Sequence, residues 1–326
     1  MRPAACAVGR CLFRAMEQFT LLAPAKLNLL LDILGKRPDG YHEVSMIMQT
    51  VTWYDRLHFE RTNEPGVSFY VTDPEGRILT EEESGIPLDN RNLVMKAVNL
   101  LSEERGPLNG LSIKLEKHLP KEAGLGGGSS DAAAALIGVN RLYELGLSAE
   151  ELAAKALRLG ADVPFFLRGG TCLCEGIGER LTPLTPLGIQ NILIVKPKAS
   201  LSTRLVYEYC DSLREMKHPD LQGFLRALSG KEAFSDTFLS TICATMGNVM
   251  EEAAFYLCPE ITEIKKSLRE NGAEASLMTG SGSALFGIFR EEETARKALR
   301  TLRDRLPEAV FQIVGTTEFG VEEMPV

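Results

Sequence analysis

The chain has 326 residues, of which 44% are hydrophobic and 25% charged, and its formal net charge is −8 at pH 7. That length allows two domains with a well-buried core, and the composition is typical of a globular protein. The negative charge argues against binding to nucleic acid or to an anionic membrane, and no apolar run approaches the roughly 20 residues that span a bilayer. The seven cysteines are scattered without a CxxC pair, which favours free thiols in a reducing cytoplasm. Cys172 and Cys174 are two apart and predict core packing on one face of a strand.

The N-terminal segment differs from the rest of the chain. Residues 1–18 carry three arginines and no acid before Glu17, and they predict a poorly ordered arm or a start upstream of Met16. A targeting segment is the alternative, but its apolar stretch is short and broken by arginines. From Phe19 to Leu34, apolar residues alternate with Lys26, Asn28 and other residues, which predicts a strand.

The middle of the chain alternates predicted strands and helices. After a turn at KRPDG (36–40), strand character continues over 46–59 and in fragments of 65–88. A helix is expected over 92–104 and a strand over 111–116. Helices at 129–145 and 148–159 have good boundary signals, because Ser148 and Glu151 have the spacing of a capping box and glycines follow both helices.

The last part of the chain mixes both kinds of element. The expected strands are 170–175, 192–196, 284–289 and 310–315. The expected helices are 221–228, 246–256, 261–271 and 292–306. The segment LTPLTPLGIQ (181–190) has two prolines and no helical period, so it is the expected hinge between an N-terminal domain (19–185) and a C-terminal domain (186–326). The fold class is α+β.

A glycine-rich segment, LPKEAGLGGGSSD (119–131), directly precedes the helix predicted from 129. Glycines allow φ > 0 and close approach, so successive N–H groups can converge on an anion where the helix dipole also favours negative charge. The P-loop pattern fails because no lysine follows the glycines, and the GxGxxG pattern fails as well. A flexible linker is the alternative, but a linker would not adjoin a strongly capped helix.

Three segments resemble the motifs of one family. PKEAGLGGGSSDAA is similar to the second motif of the GHMP kinases, APAKLNLLLDILGKRPDGYHE to the first, and SLMTGSGSALFGIF to the third. The resemblance covers nearly all of the chain from residue 19 onward. It implies the two-domain GHMP kinase fold, with a ribosomal protein S5 domain 2-like N-terminal domain and a ferredoxin-like C-terminal domain. It also implies ATP as phosphate donor and Mg²⁺ bridging the phosphates, with no protein ligand assigned to the metal.

The resemblance assigns residues to the nucleotide. The segment around the loop would hold the triphosphate, and a helical face with Asn92 and Lys96 would lie near the adenine, although a solvated helix face is the alternative for these two. The residues expected at the phosphates are Pro120, Lys121, Gly124, Leu125, Gly126, Gly127, Gly128, Ser129 and Ser130.

Phosphoryl transfer to an alcohol needs a place for the hydroxyl proton. Asp162, in GADVPFF, matches the catalytic aspartate of the family, and its apolar flanks would desolvate it and make it a better base. Pro164 is expected to hold Val163 extended. Lys26 matches a lysine beside that aspartate, although a lone strand lysine is more often an edge residue.

The segments DGYHE and GADVPFF resemble the family branch whose alcohol substrate carries a cytidine diphosphate. An aromatic stack with an imidazole suits cytosine, so Tyr41, His42 and Tyr207 are expected at the base, with Thr203 and Asn28 elsewhere on the substrate. Helix packing is the alternative for Tyr207. Other family kinases, acting on mevalonate or homoserine, and a silent nucleotide-binding paralogue remain as alternatives. The oligomeric state stays open.

Overall fold

The computed structural model describes residues 18–229 and 236–325, so the expected arm lies outside the described residues except for Gln18. The strands in chain order are β1 (Gln18–Lys36), β2 (His42–Arg61), β3 (Val67–Thr72), β4 (Ile78–Leu79), β5 (Leu111–Glu116), β6 (Thr171–Gly176), β7 (Arg180–Pro183), β8 (Ile192–Lys196), β9 (Gly247–Asn248), β10 (Ala275–Met278), β11 (Leu285–Ile288), β12 (Val310–Val314) and β13 (Glu322–Glu323). The helices are α1 (Glu81–Ser84), α2 (Leu93–Arg105), α3 (Gly127–Leu142), α4 (Ala149–Leu159), α5 (Val163–Arg168), α6 (Thr203–Ser212), α7 (Leu221–Leu228), α8 (Asp236–Thr245), α9 (Glu251–Leu257), α10 (Glu260–Glu270) and α11 (Glu292–Arg305).

Two sheets organise the described part of the chain, which confirms the α+β class. The first has the order β13-β1-β2-β5-β3-β4, with β6 on β2, β7 on β6, and β9 parallel to β1. The second is antiparallel with the order β10-β11-β8-β12. Because β9 and β13 come from the last third of the chain, the first sheet includes strands from both ends of the sequence.

The long hairpin of β1 and β2 is the centre of the molecule. The alternation in β1 correctly predicted a strand. Irregularities in the pairing with β2, between Pro24 and Ala25 and between Asn28 and Leu30, change the face to which the alternating residues point, and both faces of β1 are buried. Leu31 and Ile33 pack in the cluster that holds the alanines of α3, while Leu27 and Leu29 pack with residues of the second sheet. Lys26 is therefore only 4% exposed, and it is not an edge residue.

The helix after the glycine-rich loop begins two residues earlier than expected. Gly127 and Gly128 form the first turn of α3, and Gly126 is its N-cap at φ 74°. The expected end at Leu145 is also late, because α3 ends at Leu142. The first-turn N–H groups of α3 thus belong to the glycines themselves, which places the helix dipole directly at the loop.

The expectation of an extended Val163 is wrong. Val163 is the first residue of α5, and Pro164 lies in the first turn. A proline there removes no intrahelical hydrogen bond, because the first N–H groups of a helix have no partner inside it. The preceding helix is as predicted, with both halves of the Ser148–Glu151 capping box formed.

The C-terminal part contains more elements than the sequence indicated. The helix expected from Met246 begins at Glu251, because β9 precedes it and Asn248 donates to the backbone oxygens of Met278 and Gly280 at 2.9 and 2.8 Å. Strand β10 and helix α8 were not expected. The hinge proposed at 181–190 includes the end of β7 and a segment without helix or strand, and the domain boundary at 185 stays a prediction.

Candidate active site

The glycine-rich loop is held between β1 and the turn after β10. The backbone N–H of Lys26 donates to the Leu125 oxygen at 2.9 Å, and the N–H of Ala284 donates to the Ala123 oxygen at 3.3 Å. Gly124 and Gly126 have φ of 72° and 74°. A Cβ at Gly126 would lie 2.5 Å from Cζ of Phe166, so there the protein itself requires glycine.

A cavity of about 430 Å³ lies on one side of this loop. It is bordered by most of the residues that the sequence assigned to the nucleotide, namely Asn92, Pro120, Lys121, Gly124, Leu125, Gly126, Gly127, Gly128 and Ser129. The structure does not bring the other two to this cavity: Ser130 is fully buried, and Lys96 is exposed on α2 away from it.

Asn92 has a structural task at the edge of the nucleotide cavity. It is the N-cap of α2, where its Oδ1 accepts from the Val94 N–H at 2.8 Å and its Nδ2 donates to the Pro87 oxygen at 2.9 Å. Its amide group is therefore committed to the local backbone, and Asn92 shapes the cavity wall by fixing where α2 begins.

A second cavity of about 640 Å³ lies on the other side of the loop. Its lining includes all seven residues that the sequence assigned to catalysis and to the substrate, namely Lys26, Asn28, Tyr41, His42, Asp162, Thr203 and Tyr207. Gly124 and Gly126 border both cavities. A ligand in one cavity can therefore reach a ligand in the other across these two glycines.

Lys26 and Asn28 form the floor of the second cavity. Lys26 Nζ donates to Asn28 Oδ1 at 2.5 Å, and the Asn28 N–H donates to Thr279 Oγ1 at 3.0 Å. Burial lowers the pKa of Lys26 below its ordinary value, and the charge of Asp162 opposes this effect. Thr279 belongs to the segment similar to the third family motif, so residues 251 positions apart in sequence meet here.

Asp162 stands at the start of α5, half-buried, between the end of α4 and the apolar helix that begins with Val163. Its charge acts on two neighbours. The pKa of Tyr207 is raised first by burial and then by Asp162, and the pKa of Cys174 is raised by burial, by Cys172 and by Asp162. Asp162, Lys26 and Tyr207 line the same cavity.

Cys172 and Cys174 are buried in the core, as predicted.

The far end of the second cavity is aromatic. The rings of His42 and Tyr207 stack with centroids 4.5 Å apart and an interplanar angle of 24°. Tyr41 is 60% exposed at the rim, and His42 is the first residue of β2 rather than a loop residue. Thr203 Oγ1 lies 2.8 Å from Ser281 Oγ, which connects α6 to the turn after β10.

A buried ionic cluster beneath the loop was not expected from the sequence. Lys117 Nζ donates to Asp55 Oδ2 and, at 3.1 Å, to Asp131 Oδ2. Asp55 Oδ1 also accepts from the Leu119 N–H at 2.8 Å. Burial raises the pKa of Asp131 to about 8, with Asp55 adding to the effect and Lys117 opposing it. One cation faces two carboxylates, so a proton on Asp131 balances the charge.

The comparisons with known proteins agree with this geometry. Residues 92–170 match the model of the GHMP kinases N terminal domain, and residues 231–308 match that of the GHMP kinases C terminal domain. The chain belongs to the GHMP kinase family, and its two-domain fold is the one predicted.

Similar proteins narrow the class further. A 4-diphosphocytidyl-2-C-methyl-D-erythritol kinase of Lachnospira eligens is 41% identical over 89% of this chain and 95% of that relative. The protein of the same name from Pelotomaculum thermopropionicum is 42% identical over 87% of this chain and 93% of its own. A crystal structure of 4-(cytidine 5'-diphospho)-2C-methyl-D-erythritol kinase has a TM-score of 0.70 at 35% identity, covering 91% of this chain and 99% of that one. A homoserine kinase from Cytophaga hutchinsonii also has a TM-score of 0.70, covering 96% of this chain and 99% of its own, but at 19% identity it shows the fold alone.

Proposed function

We propose that this chain transfers the γ-phosphate of ATP to the 2-hydroxyl of 4-diphosphocytidyl-2-C-methyl-D-erythritol, a step of non-mevalonate isoprenoid precursor synthesis. The observation that carries the proposal is the junction of the two cavities at Gly124 and Gly126. ATP is the phosphate donor of a kinase of this family, and its triphosphate would lie along the loop. The alcohol would approach from the other cavity, so that donor and acceptor meet at the loop in line.

Lys26 and Asp162 would carry the chemistry. Asp162 would accept the proton of the attacking hydroxyl, and the Lys26 cation would neutralise charge that develops on the transferred group. The electrostatic coupling of the two side chains in a cavity that also borders the loop supports this assignment. Asn28 orients the lysine through the 2.5 Å hydrogen bond and would itself contact the substrate.

The aromatic end of the cavity would bind the cytosine. Tyr207 and Tyr41 offer ring faces, and His42 offers a ring nitrogen for the edge of the base. Thr203, next to Ser281, would contact the substrate on the side of the turn after β10. The relatives whose names include 4-diphosphocytidyl support a cytidine-bearing alcohol over mevalonate or homoserine.

Mg²⁺ is expected to accompany the triphosphate. The ion prefers oxygen ligands and usually keeps several waters, with one or two protein groups and substrate phosphates completing its shell. The Ser129 hydroxyl borders the nucleotide cavity and fits this chemistry. Bound there, the ion would offset phosphate charge, while the N–H groups of the first turn of α3 would orient the phosphate oxygens.

A reducing cytoplasm is the proposed compartment, and a small molecule rather than nucleic acid or membrane is the proposed partner. The five cysteines of the described residues are free thiols. Within residues 18–229 and 236–325, no helix combines the length and the apolar character of a membrane span.

The test is an ADP-release assay with ATP and 4-diphosphocytidyl-2-C-methyl-D-erythritol, with mevalonate and homoserine as competing alcohols. We expect turnover of the first alcohol alone, and a loss of ~10²–10⁴ in rate for Asp162→Asn. Asp220→Asn is the matched control, because Asp220 caps α7 outside both cavities and asparagine also caps helices.

Two outcomes would contradict the proposal. Preferred turnover of mevalonate or homoserine would assign the chain to another kinase of the family. ATP binding without turnover of any of these alcohols would indicate a silent paralogue. Equal rates for wild type and Asp162→Asn would contradict only the catalytic role of Asp162 and would leave the proposed substrate standing.

A further inference from the structure

Asp211 connects α6 to both ends of the turn that carries Tyr41. Its Oδ1 accepts from His42 Nε2 at 2.7 Å, and its Oδ2 accepts from Lys36 Nζ at 2.5 Å. Lys36 is the last residue of β1 and His42 the first of β2. The carboxylate of Asp211 therefore holds Lys36 and His42, the residues on either side of the turn 37–41. Asp211 is 169 positions from His42 in the sequence.

The same helix contacts His42 twice. Tyr207 and Asp211 are four residues apart on α6, so they lie on one face of the helix. The tyrosine packs against the face of the imidazole and the aspartate accepts from its edge. The side chain of His42 is only 10% exposed, so the ring has little freedom to turn away from these two contacts.

A carboxylate is an acceptor only, so the hydrogen bond requires that Nε2 of His42 carries the proton. In the neutral ring Nδ1 is then an acceptor with a defined direction. The pKa of Asp211 is held below its usual range by Lys36 and His42, which is consistent with a carboxylate at this position. Without the carboxylate, both tautomers and both flipped orientations of the ring become available.

We propose that Asp211 is a positioning residue, which fixes the tautomer and orientation of His42 and joins α6 to the turn 37–41 so that the base-binding end of the cavity is formed before the substrate arrives. The part of this inference that concerns substrate affinity rests on the proposed function, whereas the part that concerns the histidine ring does not.

The first test uses no substrate. Long-range ¹H–¹⁵N NMR spectra distinguish the tautomers of the four histidines of the chain, and His42→Gln assigns the signals of interest. We expect an Nε2–H ring in the wild type and a mixture of tautomers in Asp211→Ala. Asp211→Asn keeps an acceptor oxygen without the charge, so it should retain most of the Nε2–H form. Glu308→Ala, which removes an exposed ion pair to Lys198, is the matched control.

The second test is steady-state kinetics. Loss of a hydrogen bond to a charged group predicts a KM for the cytidine-bearing alcohol that is ~10–100-fold higher in Asp211→Ala, with the KM for ATP within about twofold of the wild type. An Nε2–H signal that persists unchanged in folded Asp211→Ala would overturn the inference, and so would an equal rise in both KM values. If the chain turns over a different alcohol but the tautomer changes as expected, the positioning role stands and the proposed substrate fails.

Discussion

Gly124→Ala is expected to separate the glycine-rich loop from the turn after β10. Gly124 has φ 72°, and a Cβ built on it comes within 3.0 Å of the backbone oxygen of Thr279, closer than real Cβ atoms come. That oxygen belongs to the backbone and cannot rotate away as a side chain could. Because Thr279 also accepts from the Asn28 N–H, the displacement reaches the strand that carries Lys26.

The magnitude has two parts. An L-residue in the left-handed region costs roughly 1–2 kcal/mol relative to glycine. Restoring ordinary contact to the oxygen requires a backbone shift of about 1 Å, and such overpacking typically costs ~1–3 kcal/mol. Together they predict a loss of ~2–5 kcal/mol in the free energy of unfolding. For one domain of roughly 150–250 residues, this corresponds to a fall of roughly 5–15 °C in Tm.

Gly128→Ala adds the same atom four residues further on and is the matched control. Gly128 lies in the first turn of α3 without a positive φ, and the nearest atom to its built Cβ is Leu93 Cδ1 at 3.9 Å. Alanine is a better helix former than glycine by ~0.5–1 kcal/mol, so Tm should stay the same or rise. Calorimetry of both variants decides, and a Tm for Gly124→Ala within 2 °C or so of that for Gly128→Ala would refute the steric reasoning.

Three further changes test other features. Because burial raises the pKa of Asp131, the folded state favours its protonated form. This contribution to the free energy of unfolding is complete below the ordinary carboxyl pKa and is lost as the pH rises towards about 8. The gain in Tm of Asp131→Asn over the wild type should therefore be larger at pH 8 than at pH 5. Ser148→Ala removes half of the capping box of α4 and should cost ~1 kcal/mol in the free energy of unfolding, measured by urea titration. Lys26→Met removes a buried cation whose pKa is lowered by burial, so it should lose ~10²–10⁴ in kinase rate while its Tm does not fall.

Local patterns predicted many elements well. The capping box marked the start of α4, and β5 and α7 have the predicted bounds, because propensity and amphipathic period agreed there with the tertiary environment. The fold and the seven residues of the second cavity followed from the resemblance to the family motifs.

The failures have different causes. The helix predicted from Met246 begins at Glu251, because the Asn248 side chain holds the backbone oxygens of Met278 and Gly280. Val163 is helical for a local reason, because the proline after it lies in the first turn of α5. Asp211 has no sequence signal, since an exposed aspartate on a helix is ordinary. Only the approach of α6 to the start of β2 makes it a partner of His42.

The glycines of the loop, which the sequence presents as one group, have different surroundings in the structure. Gly124 and Gly126 have positive φ, and a Cβ on either would collide with the protein, so their identity follows from packing whether or not a nucleotide binds. Gly128 has open space around it, and nothing in the described part of the chain requires glycine there. If the cavity holds the triphosphate, the missing Cβ at Gly128 serves the ligand, because a phosphate can then approach the N–H groups of the helix. Gly128→Ala should then raise the KM for ATP without lowering Tm, and an unchanged KM would place the phosphates elsewhere in the cavity.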